Sequence, residues 1–515
     1  MRVLSRLWLV ILCACPLTVP ADQRLDVEEM TLTELRAGYD SGDFTIVEVT
    51  RAYLERIKRL DQDGPMLNSV RTLNLQALEV AESLDRELAD GHSRGPLHGI
   101  PVMLKDNIDT ADMATTAGSK LLEGSVPPED AFIVQRLREA GAVILGKNNL
   151  SEWANFHSSF SSSGWSRLGG QVRNPHGEGR NPCGSSSGSA VSTAASLAAF
   201  TIGTETNGSI ICPAQANGIV GMKPTVGLWS RTGIIPISHN MDSAGPMTRT
   251  VADAAIVLGV LAGNDAEDSA TAEADGHRHE DYTRYLDAGG LDGKRIGFYT
   301  EPLGNHYRVD ALTHQAVDVL KSAGAEVVEI EQISEQNIDA EALEVLLHEF
   351  RSGLDEYFDR LGDNAPVADY DALIEAMRDD PGETARFDRS LMFMAAQREG
   401  LDAELYENAL VVVQEQTRER GIDRVMDKHE LDAIVAPSGS PAWMTDLTLG
   451  DNFKLSSSAP SARAGYPVIT VPMGRIDGLP VGLSFFGRAW SEPLLLEIAH
   501  AYERLSGHRQ APEFD

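Results

Sequence analysis

Two short polar loops bracket one segment of this chain. The first is Cys183-Gly184-Ser185-Ser186-Ser187-Gly188-Ser189 and the second is Thr206-Asn207-Gly208-Ser209-Ile210. Between them, Ser189 to Phe200 reads as a helix of small residues and Thr201 to Thr206 as a strand. A helix that hands over to a strand of the sheet it covers returns its own start and the strand's end to the same sheet edge. Ser185 and Ser209 are therefore predicted to meet. Ala190, Ser192, Ala194, Ala195 and Ala198 are small enough to let the helix lie close to the sheet. This unit commits the chain to an α/β fold.

The remaining pattern agrees. Apolar residues recur with helical spacing from Thr45 to Leu60, and residues 97–110 read as a strand running into a polar turn. Asp130 to Ala140 is helical, Gly141 ends it, and Ala142-Val143-Ile144-Leu145 is a short buried strand. Further strands are expected at 433–436, 468–471 and 481–486, with a helix from Pro493. Strand and helix alternate in the front and back thirds. The fold expected is one large mixed, mostly parallel sheet covered by helices on both faces. Residues 264–290 are acidic with little apolar pattern, and 309–430 alternate helices with few strands. A single domain over 22–515 is expected, with 264–430 as a helical, acidic insertion or lid.

Charge removes whole classes of partner. Lys and Arg total 44 against 77 Asp and Glu, a net charge of −33. Phosphate backbones and anionic lipid surfaces repel such a molecule, so nucleic acid is not an expected partner. At the N-terminus Arg2 and Arg6 precede an apolar run from Leu7 to Cys15, too short for a stable membrane span. Val19-Pro20-Ala21 offers small residues for cleavage before Asp22, so residues 1–21 are read as a signal peptide and the protein as exported, to the periplasm or beyond. Leu12-Cys13-Ala14-Cys15 also forms an imperfect acylation box, which leaves a lipoprotein anchor as the alternative. Export leaves Cys183 and Cys212, which have no metal-ligand spacing. They flank the two serine loops, so either a disulfide in an oxidising compartment or two buried thiols is expected.

Lys105 closes a strand in which Ile100, Val102 and Leu104 share one face, so it points to the other. Set against apolar layers, its pKa would be lowered, as a base requires. A surface lysine paired with a carboxylate is the competing reading. The N–H groups of Thr206, Asn207, Gly208 and Ser209 are successive loop donors, fit to hold a developing oxyanion.

Two motifs compete with this set. Gly184-Ser185-Ser186-Ser187-Gly188 satisfies G-x-S-x-G and would make Ser186 a nucleophile, but Gly177 to Cys183 is polar and contains Pro182 where a buried strand is needed. Gly141 to Lys147 mimics the start of a phosphate loop, yet Asn148 follows the lysine and the centre is a strand. Ser158 to Ser163 reads as a solvated loop and a candidate part of the substrate entrance. Trp153, Phe156 and Trp165 are either pocket lining or ordinary core.

Several ordered motifs resemble the amidase signature family. They are Gly99 to Asn107, Gly184 to Ser189, Gly203-Thr204-Glu205-Thr206-Asn207-Gly208-Ser209-Ile210, Gly221 to Gly227, Asp242 with Gly245 to Thr250, and Leu479 to Leu483. The resemblance implies that Lys105 is a base, Ser185 a relay serine after a cis Gly184–Ser185 peptide, and Ser209 the nucleophile, with no cofactor or metal. Two positions depart from the commoner family pattern: Asn207 where a glycine is usual, and Ile211 where an arginine is usual. With Thr204-Glu205-Thr206 and Arg180 to Cys183, these resemble bacterial peptide amidases, which remove C-terminal amide groups. Asn207 and Ile211 are accordingly expected to bear on the substrate. The expected reaction is hydrolysis of a carboxamide to a carboxylate and ammonia through an acyl-enzyme. Alternatives are the same fold acting on fatty-acid or aryl amides or esters, and a catalytically silent binding protein.

Overall fold

The computed structural model describes residues 25–514. The segment 1–21, with Cys13 and Cys15, lies outside the described residues. In chain order the strands are β1 (Val70–Leu73), β2 (Pro101–Lys105), β3 (Val143–Asn148), β4 (Trp165–Ser166), β5 (Gly170–Gln171), β6 (Phe200–Glu205), β7 (Val220–Lys223), β8 (Ser243–Thr248), β9 (Arg295–Tyr299), β10 (Glu326–Ile330), β11 (Ala433–Pro437), β12 (Val468–Ile476) and β13 (Leu479–Phe486). Eleven of them form one sheet in the order β1-β3-β2-β6-β8-β7-β12-β13-β11-β9-β10, and β4 and β5 pair apart.

The sheet is mixed, as the alternation of elements predicts, but its parallel share is confined to two places. β3, β2 and β6 are parallel on one flank, and β11, β9 and β10 on the other. The strands between them, from β6 through β8, β7, β12 and β13 to β11, pair antiparallel. β8 escaped the sequence reading because Gly245-Pro246 sits inside it.

The helix between the serine loops runs Ser187–Ala194, shorter than expected. Ser196 takes a left-handed φ of 52° and turns the chain early into β6. The helix Ile46–Ile57 begins where Thr45 accepts from the N–H of Glu48, whose side chain returns to the Thr45 N–H, a reciprocal cap.

The region 264–430 is not wholly an insertion: β9 and β10 extend the main sheet. β10 lies at its edge and exposes Glu326 and Glu329, charges that blunt an edge but disguise a strand. The helices Asp339–Leu361, Tyr370–Asp379 and Ser390–Ala395 build a core of their own, with Phe350, Leu354, Tyr357, Phe358, Tyr370 and Met392 packed on Trp153 and Phe156. Among the described residues no helix is long and apolar enough to cross a membrane.

Candidate active site

β2 and β6 are parallel, so Lys105 and Glu205 end at the same sheet edge, and antiparallel β8 begins there, with Ser243 opposite Glu205. This edge, at the carboxyl ends of parallel strands, is where open α/β sheets leave a crevice. Four segments converge on it: the end of β2, the 184–187 loop, the 206–209 loop and the residues just before β8.

Lys105 is fully buried. Its Nζ lies 2.7 Å from Ser185 Oγ, 2.8 Å from Thr204 Oγ1 and 3.1 Å from the Thr204 carbonyl oxygen. A surface ion pair is thereby ruled out. Burial brings its pKa down to about 7, against the opposing pull of Asp242 and Glu205. An amine so placed can exchange a proton with Ser185 near neutral pH.

Ser185 follows a cis Gly184–Ser185 peptide, and its carbonyl accepts from the Ser151 N–H at 3.1 Å. A Cβ on residue 184 would stand 2.2 Å from Ser151 Oγ, which is why the position is glycine. Gly203 serves likewise on β6, where a Cβ would meet Ser186 Oγ at 2.9 Å. The two loops are tied by the Ser186 N–H, which donates to the Ser209 carbonyl at 3.1 Å.

The second loop is held from behind. Glu205 Oε2 accepts from the N–H groups of Ile210 and Ile211 at 2.7 and 2.9 Å, at the start of the helix Ile211–Ala216. Thr206 Oγ1 donates to Asp242 Oδ1 at 2.5 Å, and Asp242 Oδ2 accepts from the N–H groups of Ile237 and Ser238. Among the described residues, the N–H groups of Asn207, Gly208 and Ser209 reach no protein acceptor. They remain available to a ligand. Gly208 adopts a φ of +81°, which favours glycine in that turn.

Ser185 and Ser209 open on one cavity of about 390 Å³. Asn107, Thr204, Thr206 and Asp242 of the sequence motifs line it too. Its other walls come from places the sequence reading passed over: the stretch Arg231 to His239, with Ile234 to Ile237, and the helix Asp339–Leu361, with Gly353 and Tyr357. Tyr357 donates its hydroxyl to Asp109 Oδ1 at 3.0 Å, fastening that helix beside the end of β2. Burial raises Asp109 to about 7.

The structure corrects two expectations about the substrate. The side chain of Asn207 does not line the cavity: it is exposed and its Oδ1 accepts from Ser458 Oγ at 2.7 Å, which leaves only the Asn207 N–H as a group for the substrate. Ile211 turns the other way and packs in a core with Tyr299, Ile330, Val425 and Phe486. Trp153 and Phe156 are core residues, and Trp165 packs edge-on against Phe387. Of the serine-rich stretch, Ser158, Ser162 and Ser163 are buried, Ser163 held by Asp451, and none lines the cavity.

The competing motifs find structural explanations. Ser186 is buried and donates to the Thr204 carbonyl at 3.0 Å, so it is no exposed elbow. Lys147 lies inside β3, where its Nζ bonds the Ile108 carbonyl and Thr115 Oγ1. Cys183 and Cys212 form a disulfide with Cα atoms 5.9 Å apart, joining the loop before Ser185 to the helix after Ser209. Among the described residues no group of three or more His, Cys, Asp and Glu is arranged to hold a metal ion.

The amidase family model matches this chain over residues 48–496, and with that fold and crevice it defines the class: the protein is an amidase, a hydrolase of amide bonds. It belongs to the amidase signature family. Native peptide amidase from Stenotrophomonas maltophilia superposes with a TM-score of 0.91 at 49% identity, covering 95% of this chain and 99% of that one. A probable amidase of Arabidopsis thaliana is 39% identical over 502 residues, 95% of this chain and 92% of the relative. An amidase family protein from Bacillus anthracis superposes with a TM-score of 0.86 at 35% identity, covering 95% of this chain and 93% of that one.

Proposed function

We propose that the protein removes ammonia from the C-terminal carboxamide of short peptides through an acyl-enzyme on Ser209. The observation that carries this reading is the 2.7 Å contact of a fully buried Lys105 with Ser185, beside a second serine that opens on the same cavity. Neutral Lys105 accepts the Ser185 proton while Ser185 takes that of Ser209, whose oxygen adds to the amide carbon. The N–H groups of the Thr206, Asn207, Gly208 and Ser209 loop meet the negative oxygen. The lysine's extra proton then returns through Ser185 to the departing nitrogen, and ammonia leaves. Water, deprotonated by the same relay, attacks the ester carbon and frees the carboxylate and Ser209.

The apolar wall from Ile234 to Ile237 suits the last side chains of a peptide. The likeness to a peptide amidase points the same way. A net charge of −33 speaks against an aminoacyl-tRNA substrate. Ammonia release from peptide amides, long-chain amides and aryl amides, run in parallel, tests the acyl group. Peptide amides are expected to turn over fastest, and preference for a long-chain amide would overturn that part. A fluorophosphonate probe should label Ser209; no labelling at any serine would leave a binding protein.

We further propose export, because a disulfide such as Cys183–Cys212 persists in oxidising compartments. Protein recovered from cell envelope or medium should begin at Asp22 and, denatured without reductant, show no titratable thiol. Two thiols would contradict it, and an acylated Cys13 or Cys15 at the N-terminus would replace cleavage after Ala21 by the lipoprotein form of export.

A further inference from the structure

A neutral lysine amine has two N–H bonds and one lone pair, and only the lone pair can take a proton. The Nζ of Lys105 has three oxygen neighbours: Ser185 Oγ at 2.7 Å, Thr204 Oγ1 at 2.8 Å and the Thr204 carbonyl at 3.1 Å. Two of the three belong to one residue, and each is fixed from elsewhere. Asn107 Nδ2 donates to Thr204 Oγ1 at 3.0 Å, so that oxygen stands as an acceptor within its own network. Ser186 Oγ donates to the Thr204 carbonyl at 3.0 Å and accepts from the Thr204 N–H at 3.2 Å, clamping the backbone there. Thr204 and Asn107 are buried.

We propose that Thr204 is the positioning residue of the base: its hydroxyl and carbonyl oxygens hold both N–H bonds of neutral Lys105, leaving the lone pair to face Ser185. The inference rests on the reading of Lys105, Ser185 and Ser209 given above. A rotating amine would present an N–H to Ser185 for part of the time, and that orientation cannot accept a proton. In the ammonium state the three N–H bonds match the same three oxygens, so the proton arrives without the lysine having to move. Such fixed dipoles require no reorganisation during the reaction. The charges facing Lys105 are Asp242, beyond Thr206, and Glu205, the next residue along β6, and neither supplies a hydrogen bond to Nζ.

Thr204→Val keeps the shape and removes one acceptor. The ammonium needs three acceptors and the amine only two, so the change penalises the protonated form more. Three results are expected. The kcat should fall about tenfold to a hundredfold, KM should stay near its original value, and the acid limb of the pH profile of kcat/KM should move to lower pH. Thr204→Ser, which restores the hydroxyl, should recover most of the rate and return the limb. A valine variant within about twofold of the parent kcat and with an unmoved limb would overturn the proposal, as would a serine variant no better than valine. If Thr204→Val does not fold, Asn107→Ala is the second variant, with a lowered kcat expected and an unchanged kcat overturning it. Lys105→Met separates the two levels. Near-parent activity in Lys105→Met defeats the underlying reading, whereas a Lys105→Met variant slowed by about 10²-fold or more beside a fully active Thr204→Val defeats only the role of Thr204.

Discussion

Ser209→Ala is expected to lower amide turnover by roughly four to six orders of magnitude while the protein keeps its fold. The size follows from the place of Ser209 in the reaction: with no oxygen to add to the carbonyl, no acyl-enzyme forms. What persists is the slow attack of water in a site whose donors remain. The fold is spared because the change deletes one oxygen at the cavity surface. The loop is held instead by the Glu205 carboxylate on the Ile210 and Ile211 N–H groups, and by the Ser186 bond to the Ser209 carbonyl. Steady-state ammonia release checks the first part and a thermal melt the second. Near-normal turnover in a folded variant would remove Ser209 from the mechanism and return attention to the serines of the 185–189 loop.

Lys105→Met should cost about 10²- to 10⁴-fold in kcat, the range for loss of a general base. The pH dependence of the unaltered enzyme follows from the same residue. Burial lowers Lys105 from the ordinary lysine value to about 7, so it is a neutral amine above that pH and ammonium below it. The kcat/KM should therefore be level above about pH 7 and fall by about tenfold per unit below it. Stability carries the opposite half of the effect. Between about 7 and the ordinary value of 10.5 the unfolded chain holds a proton that the folded chain has released. The contribution of this group to stability thus rises with pH across that window, and Lys105→Met should flatten it. A parent profile with no acid limb near 7 would contradict the assignment of the base.

Much of the site was legible because its chemistry sits in contiguous motifs attached to the ends of regular elements. β2 from Pro101 is an apolar run closed by Lys105, and a small-residue helix leading into β6 forces the serine loops to one edge. Membership of the amidase signature family followed from those same motifs and is borne out. The cavity walls away from those motifs were not legible. Ile234-Ile235-Pro236-Ile237 has the pattern of neither helix nor strand, and Gly353 and Tyr357 reach the site only through tertiary packing of a helix more than a hundred residues later. β10 went unseen because acidic residues at an exposed edge hide a strand whose pairing decides its conformation. Asn207 and Ile211 show the reverse error. Departure from a family pattern marked them, yet one side chain faces Ser458 and the other a core remote from the cavity. Sequence adjacency to a reacting serine does not decide where a side chain points.

The cavity has two sources, and its future changes can therefore be uncoupled. The reacting groups hang from β2, β6 and their loops, whereas one wall is a helix whose inner face belongs to a separate apolar cluster with Phe350, Leu354 and Phe358. Substitutions in clusters that share few partners add nearly independently. On that helix Gly353 has no room for a side chain, because a Cβ there would stand 2.9 Å from Pro236 Cγ, and Tyr357 is tied to Asp109. Glu356 and Arg360, which line the cavity and pair with His239 and Glu267, are the positions open to exchange. A library confined to Glu356 and Arg360 on the helix Asp339–Leu361 is therefore the place to begin redirecting the enzyme.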